Sequence, residues 1–151
     1  MPAPTFKQPV SVLVVIHTPS LQVLLLRRVR PSDFWQSVTG SLEPDETPRQ
    51  AALREVGEET GIAAQAKQLV DWQRTYQFAI HAEWRARYAQ DVTHNTEHVF
   101  SLCVPEGQPV RLAPDEHDAL LWLPFDEAAA RVFSWTNREA ILELPSRERR
   151  R

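Results

Sequence analysis

The sequence predicts an α+β fold with a mixed central sheet. Three observations carry that reading. Aliphatic, β-branched runs open the chain, one well-capped helix interrupts the strand-like segments near residue 50, and two helical segments close it. Strands and helices do not alternate regularly, so a doubly wound parallel sheet is not expected.

Each element has its own signal. Val10–Ile16 is a β-branched run, and Val23–Leu26 resumes it after the turn residues Thr18, Pro19 and Ser20. Trp35–Thr39 reads as a short third strand. The helix Pro48–Thr60 has clear boundaries: Thr47 caps it, Gln50 completes a capping box, Pro48 takes the first helical position, and Gly61 stands just past the end. Strand-like stretches follow at Ala66–Trp72, Gln73–Ile80, Trp84–Tyr88, Thr96–Val104 and Leu120–Leu123. Asp126–Val132 reads as a helix. A last helix is expected to start at Thr136, where Thr136 and Glu139 form a capping box, and to stop before Pro145. The basic end Ser146–Arg151 reads as a mobile, solvated tail on a single domain over residues 1–151.

Composition narrows the function classes. Hydrophobic residues make up 42% and charged residues 25%, ordinary values for a soluble domain. A net charge of -3 gives no field to attract nucleic acid. No apolar run approaches the roughly 20 residues of a membrane span, and Met1–Pro9 does not read as a signal peptide. With four glycines there is no glycine-rich phosphate loop or dinucleotide fingerprint. The lone Cys103 excludes an internal disulfide and reads as a buried, inert thiol, which fits a reducing cytoplasm.

One segment breaks the local rules. On a helical wheel with Val56 at zero, Glu59, Glu55 and Glu58 fall at about -60°, -100° and -160°, one acidic strip whose inner edge meets the buried face. Two of these carboxylates should therefore be only partly exposed. Like charges one turn apart cost about 0.2–0.5 kcal/mol. Acids in a last turn oppose the helix dipole at about 0.3–1 kcal/mol each, and Gly57 inside the helix costs about 1 kcal/mol against alanine. Several broken rules at one place mark a functional site. Carboxylates at this spacing suit a hard divalent cation, with Mg²⁺ the first expectation and Mn²⁺ the second. Arg54 alone carries too little charge to neutralise the strip. A solvated acidic face is the structural alternative.

The surrounding pattern favours the cation. Gly40, Glu46, then Arg54-Glu55-Val56-Gly57-Glu58-Glu59-Thr60-Gly61-Ile62 resembles the Nudix box at every fixed position. The resemblance implies an α/β/α sandwich and hydrolysis of a diphosphate linked to another group, with a divalent metal. It implies Glu55 and Glu59 as main metal ligands, and Glu58 as a third ligand or the group that activates water. Arg54 would hold the carboxylates, Glu46 would support the loop, and Gly40 and Gly61 would serve backbone geometry.

A wider resemblance runs through "FKQPVSVLVVI", "DFWQSVTGS", "VTHNTEH" and "SWTNREAI". These stretches are similar to a subgroup of that family, the bacterial dihydroneopterin triphosphate pyrophosphatases, also described as acting on dATP. It implies a small-molecule triphosphate substrate, with pyrophosphate and a monophosphate as products. Lys7 and Arg28 would then contact phosphates, Thr39 would donate a hydrogen bond, Phe78, Ala79, Ile80, His81 and Ser134 would face the ring, and Glu116 would add a distal acid to the metal cluster. His81 departs from the apolar or aromatic residue expected there. Each assignment has a bland counterpart: a surface charge for Lys7, an exposed strand end for Arg28, a solvated loop for Glu116, core packing for Phe78 and Ile80. The five tryptophans read as packing residues, and His94 and His98 as strand residues, not ligands. A module that senses a nucleotide or pterin without turnover is the non-enzymatic alternative; it does not need three carboxylates on one metal.

Overall fold

Strand β1 (Val10–His17) is buried on both faces, and this decides the architecture. Val12, Val14 and Ile16 point to one hydrophobic cluster, while Leu13 and Val15 point to another. A strand with two apolar faces needs a covering layer on each side. The computed structural model describes residues 6–149 and supplies both layers.

The sheet has seven strands: β1, β2 (Gln22–Arg28), β3 (Trp35–Gln36), β4 (Val38–Ser41), β5 (Leu69–Ala79), β6 (His94–Cys103) and β7 (His117–Pro124). Its path runs β3-β2-β1-β6-β5, with β4 paired to β1 and β7 to β2. β1 and β6 pair in parallel from Val10↔Thr96 to His17↔Cys103, and the other pairs are antiparallel, so the sheet is mixed. β1 splays: its first half pairs with β4, and only His17↔Val23 joins it to β2.

Helix α1 (Pro48–Thr60) covers one face through Ala51, Ala52 and Val56, all with no exposed surface. Two alanines at the contact let the helix axis approach the sheet closely, which brings its acidic edge to β4. The expected capping box at Thr47 and Gln50 forms, and Gly61 adopts the left-handed conformation at φ 73°. Helices α2 (Phe125–Arg131) and α3 (Trp135–Arg149) cover the other face with Ala128, Ala129, Ala140, Ile141 and Leu144. The α/β/α sandwich is the expected one.

Three local expectations are corrected. Trp84–Tyr88 is not a strand: Ala82–Arg87 forms a 3-10 helix whose first turn is capped by His81 Nδ1, which accepts from Glu83 N–H. Thr136 is not a cap either. Ser134 Oγ accepts from the N–H groups of Thr136 and Asn137, so the helix starts one residue earlier and Thr136 is buried inside it. Finally, α3 does not stop before Pro145, and Ser146–Arg149 is helical. Arg147 holds that last turn, pairing with Glu143 one turn back in the helix and donating across to the Trp72 carbonyl at 3.0 Å. Arg150 and Arg151 lie outside the described residues.

The two strands expected at Ala66–Trp72 and Gln73–Ile80 form one. Ala66–Gln68 is a 3-10 turn, and β5 then runs through a bulge where Gln73 has φ 53° and its N–H bonds to Asp71 Oδ1. No helix among the described residues is long and apolar enough to cross a membrane.

Candidate active site

The acidic end of α1 meets β4 at Gly40. A β-carbon there would lie 2.3 Å from Glu55 Cδ, so only glycine admits this carboxylate against the strand. Arg54 ties the neighbouring loop to the helix. Its Nε and Nη2 form a fork on Glu46 at 2.8 Å each, Nη1 reaches Glu55 at 2.6 Å and Glu58 at 3.3 Å, and Nη2 donates to the Ser41 carbonyl. One guanidinium thus serves several carboxylates at once, and this holds Glu46 below its usual carboxylate range.

Glu59 is left out of that network. It is 1% exposed, and neither carboxylate oxygen has a hydrogen-bond partner among the described residues. Burial, then Glu55 and Glu116, push its carboxyl well above the usual range. Glu55 is mostly buried at 12% and Glu58 half exposed at 52%, so two of the three acids are shielded, as the wheel predicts. Glu116 and His117, at the start of β7, face Glu59 across the cleft. Glu59, Glu116 and His117 each offer a ligand atom, all within 4.8 Å of one another. His117 is the member that sequence reasoning missed; its only signal was its place beside Glu116. Burial, then Arg28, hold it down to about 4, so its 3.8 Å approach to Glu59 Oε1 is that of a neutral imidazole and not an ion pair. A buried carboxylate without donors, beside further acids and one neutral imidazole, fits a hard divalent cation.

Two cavities meet beside this cluster. The first, about 460 Å³, is lined by Glu55, Glu59, Glu116 and His117. The second, about 300 Å³, is lined by Phe78, Ile80, Trp84, Phe133 and Trp135, with Asn95 and Glu97 on β6. Lys7, Arg28, Arg87, Thr39 and Gly40 line both. The three cations crowd one another: burial, then Arg87 and Arg28, lower the Lys7 ammonium, and burial and Arg87 act on Arg28 likewise. Like charges gathered in a half-buried wall make a site for a polyanion.

All eight residues expected at the substrate, Lys7, Arg28, Thr39, Phe78, Ala79, Ile80, His81 and Ser134, line the second cavity. Arg28 is thus not a mere exposed strand end and Phe78 is only half-buried, whereas Ile80 is buried at 7% exposure, as core packing would have it, and lines the cavity as well. The His81 ring packs against Phe34, Trp84 and Phe133 at 5.2–6.1 Å between centroids. Trp84 packs against Phe34, His81 and Phe133, and Trp135 against Tyr76, while both also line the cavity; Trp72 is buried with Nε1 on Ser101. Arg87 and Trp84 were hidden by the strand expected there. Of the acids, Glu58 lines neither cavity and stands at the rim, held by Arg54. Thr39 spends its hydroxyl on the Val12 carbonyl at 2.9 Å. His94 and His98 sit four residues apart on β6, about 13 Å along a strand, too far to share an ion. Cys103 is half-buried rather than fully buried.

Two of the stretches quoted above meet in space. Asn137 of "SWTNREAI" accepts from the Ser37 N–H at 2.8 Å and donates to its Oγ at 2.9 Å, which fixes α3 to the β3–β4 junction of "DFWQSVTGS".

Known proteins resemble this chain in sequence and fold. Residues 7–144 match the NUDIX domain. The chain is 49% identical over 139 residues to the dihydroneopterin triphosphate diphosphatase of Escherichia coli K12, covering 90% of this chain and 91% of that one. It is 40% identical to the Haemophilus influenzae protein of the same name, covering 90% and 87%. The solved structure of the E. coli dihydroneopterin triphosphate pyrophosphohydrolase superposes with a TM-score of 0.85 at 48% identity, over 91% of this chain and 95% of that one. The order of elements, the sandwich, the filled acidic motif and these relatives agree: the chain is a Nudix hydrolase.

Proposed function

We propose that this protein hydrolyses dihydroneopterin triphosphate to the monophosphate and pyrophosphate, using Mg²⁺. The observation that carries the reading is the shared cationic wall between an acidic cavity and an aromatic one. A ring in the second cavity lays its triphosphate along Lys7, Arg28 and Arg87 toward Glu55 and Glu59. The relatives named above act on this substrate by their names, and they cover almost the whole chain.

Glu59 and Glu116, with His117 beside them, are the compact set that would hold the cation; Glu55, which lines the same cavity and gives one oxygen to Arg54, would join them, with the carboxylate of Glu58 nearby. When bound, Mg²⁺ neutralises phosphate charge and lowers the pKa of a bound water. The chain's own part is positioning. Arg54 keeps Glu55 and Glu58 in place, Gly40 leaves room for Glu55, and the cation wall fixes the phosphates in line for water attack. A carboxylate of the cluster takes the water's proton.

The test is product analysis. With dihydroneopterin triphosphate and Mg²⁺, inorganic phosphate should appear only after inorganic pyrophosphatase is added. Direct release of phosphate contradicts the reading. A nucleoside triphosphate such as dATP is the second reading, favoured by aromatic walls at Trp84, Phe133 and Trp135 that accept any planar ring. A higher kcat/KM for dATP at matched Mg²⁺ would reverse the order.

A further inference from the structure

The floor of the aromatic cavity holds two polar side chains that hydrolysis does not use. Glu97 and Asn95 lie two residues apart on β6 and so point to the same face of the sheet, into the cavity side covered by α3. They are 5% and 3% exposed. Ser11 on β1 and Tyr76 on β5 flank Glu97 in register, and α3 sets the Thr136 hydroxyl on its carboxyl. Asn95 Nδ2 donates to Ser11 Oγ at 2.7 Å.

Those bonds leave Glu97 Oε1 and Asn95 Oδ1 without a partner among the described residues. Buried polar atoms are normally paired, so two orphans side by side call for an explanation. Both are acceptors. The ligand that satisfies them presents donors, and it must do so from the edge of a flat ring, because the walls above are aromatic. A 2-amino-4-oxopyrimidine offers that edge: a ring N–H and an exocyclic amine, two donors side by side.

We propose that Glu97, with Asn95 beside it, reads the amine–lactam edge of the substrate ring and determines which ring the enzyme accepts. The ionised carboxylate of Glu97 accepts from the ring N–H and the amine together, and Asn95 Oδ1 supplies one more acceptor. This assignment rests on the pterin triphosphate reading above. An adenine ring presents one acceptor and one donor at the corresponding edge, so ionised Glu97 meets the adenine N1 lone pair and repels it. Protonated Glu97 instead matches adenine. The two substrates thus select opposite protonation states of one side chain.

Burial pushes Glu97 up to about 7, so both states are within reach near neutral pH. The charged and titratable groups around the cavity are Lys7 of the N-terminal segment, Arg28 of β2, Tyr76 of β5, and His81, Arg87 and Tyr88 of the β5–β6 connection. β1 and α3 turn the non-titrating Ser11 and Thr136 toward Glu97.

The experiment compares wild type with Glu97→Gln on dihydroneopterin triphosphate and dATP from pH 6 to 8. A carboxamide sets an N–H donor against the pterin's donors, and it pairs well with adenine. The expected result is a KM for the pterin substrate raised about 10–100-fold with kcat nearly unchanged, while dATP turnover is kept or improved. The pterin-to-dATP preference should rise with pH in wild type and stay flat in the variant. Retained dATP turnover also shows that the variant folds. Should it not fold, wild type alone decides: GTP should inhibit pterin hydrolysis at least about tenfold more tightly than ITP, which lacks only the amine. An unchanged preference in Glu97→Gln, or equal inhibition by GTP and ITP, overturns the ring-edge assignment. Failure of wild type to hydrolyse dihydroneopterin triphosphate at all would instead reject the function on which it rests.

Discussion

The two cavities share one wall and are built from opposite kinds of sequence. The acidic cavity takes Glu43, Glu55 and Glu59 from one continuous stretch, Gly40 to Glu59, with only Glu116 and His117 from elsewhere among its acidic and imidazole groups. The aromatic cavity draws on β1, β5, β6, the Ala82–Arg87 turn and the start of α3. The first holds one unpaired carboxylate, Glu59, beside further acids, and the second holds unpaired acceptors under aromatic rings. Chemistry common to many substrates thus sits in a contiguous motif, and the choice of ring is scattered over the fold. Substitutions in the first cavity should damage all substrates alike. Substitutions in the second should split them.

The largest effect should come from Glu59→Gln. Turnover should fall by about a thousandfold or more for both pterin and adenine substrates, with the fold intact by circular dichroism. Unchanged turnover removes Glu59 from the metal site. Next is Gly40→Ala. The added methyl would overlap Glu55, so kcat should fall by about 10–100-fold, again without regard to the ring. A substrate-selective loss there would blur the division between the cavities. Arg87→Ala removes one of three wall cations and should raise KM about tenfold for both substrates, less so at high salt.

The smallest effect concerns stability. The Glu97 carboxyl is raised from 4.5 to about 7, so the folded protein holds a proton there that the unfolded chain has released. Stability linked to this group is therefore fully present below pH 4.5, declines as pH rises toward 7, and is level above that. Glu97→Gln has no such proton to lose, and its melting temperature should exceed that of wild type by several degrees at pH 8 and by little at pH 4.5. The same margin at both pH values would show that Glu97 is not held in the uncharged form by burial.

Much of this was legible in the chain itself, for physical reasons. Helix α1 could be bounded residue by residue because caps are local chemistry: Thr47, Pro48, Gln50 and Gly61 act on their own neighbours. The acidic strip was legible because its like charges and dipole opposition violate rules that operate within one turn. The failures were tertiary. Pro145 sits inside α3 because Arg147 is anchored on Glu143 and the Trp72 carbonyl, 75 residues away. Ala82–Arg87 alternates like a strand, yet it turns because Trp84 packs on Phe34 and Phe133. His117, Asn95 and Glu97 have no local oddity at all. Each is ordinary on its strand and becomes unusual only when the fold buries it with one polar atom left unpaired.

The central claim is that Glu59 is kept buried and unpaired because a divalent cation belongs beside it. Melting temperatures of wild type and Glu59→Gln, each with and without millimolar Mg²⁺, test it most directly. Removing an unpaired buried carboxylate should make the metal-free variant more stable than metal-free wild type, and the rise that Mg²⁺ gives wild type should vanish in the variant. A variant that is less stable without metal, yet gains as much from Mg²⁺ as wild type does, would contradict the account.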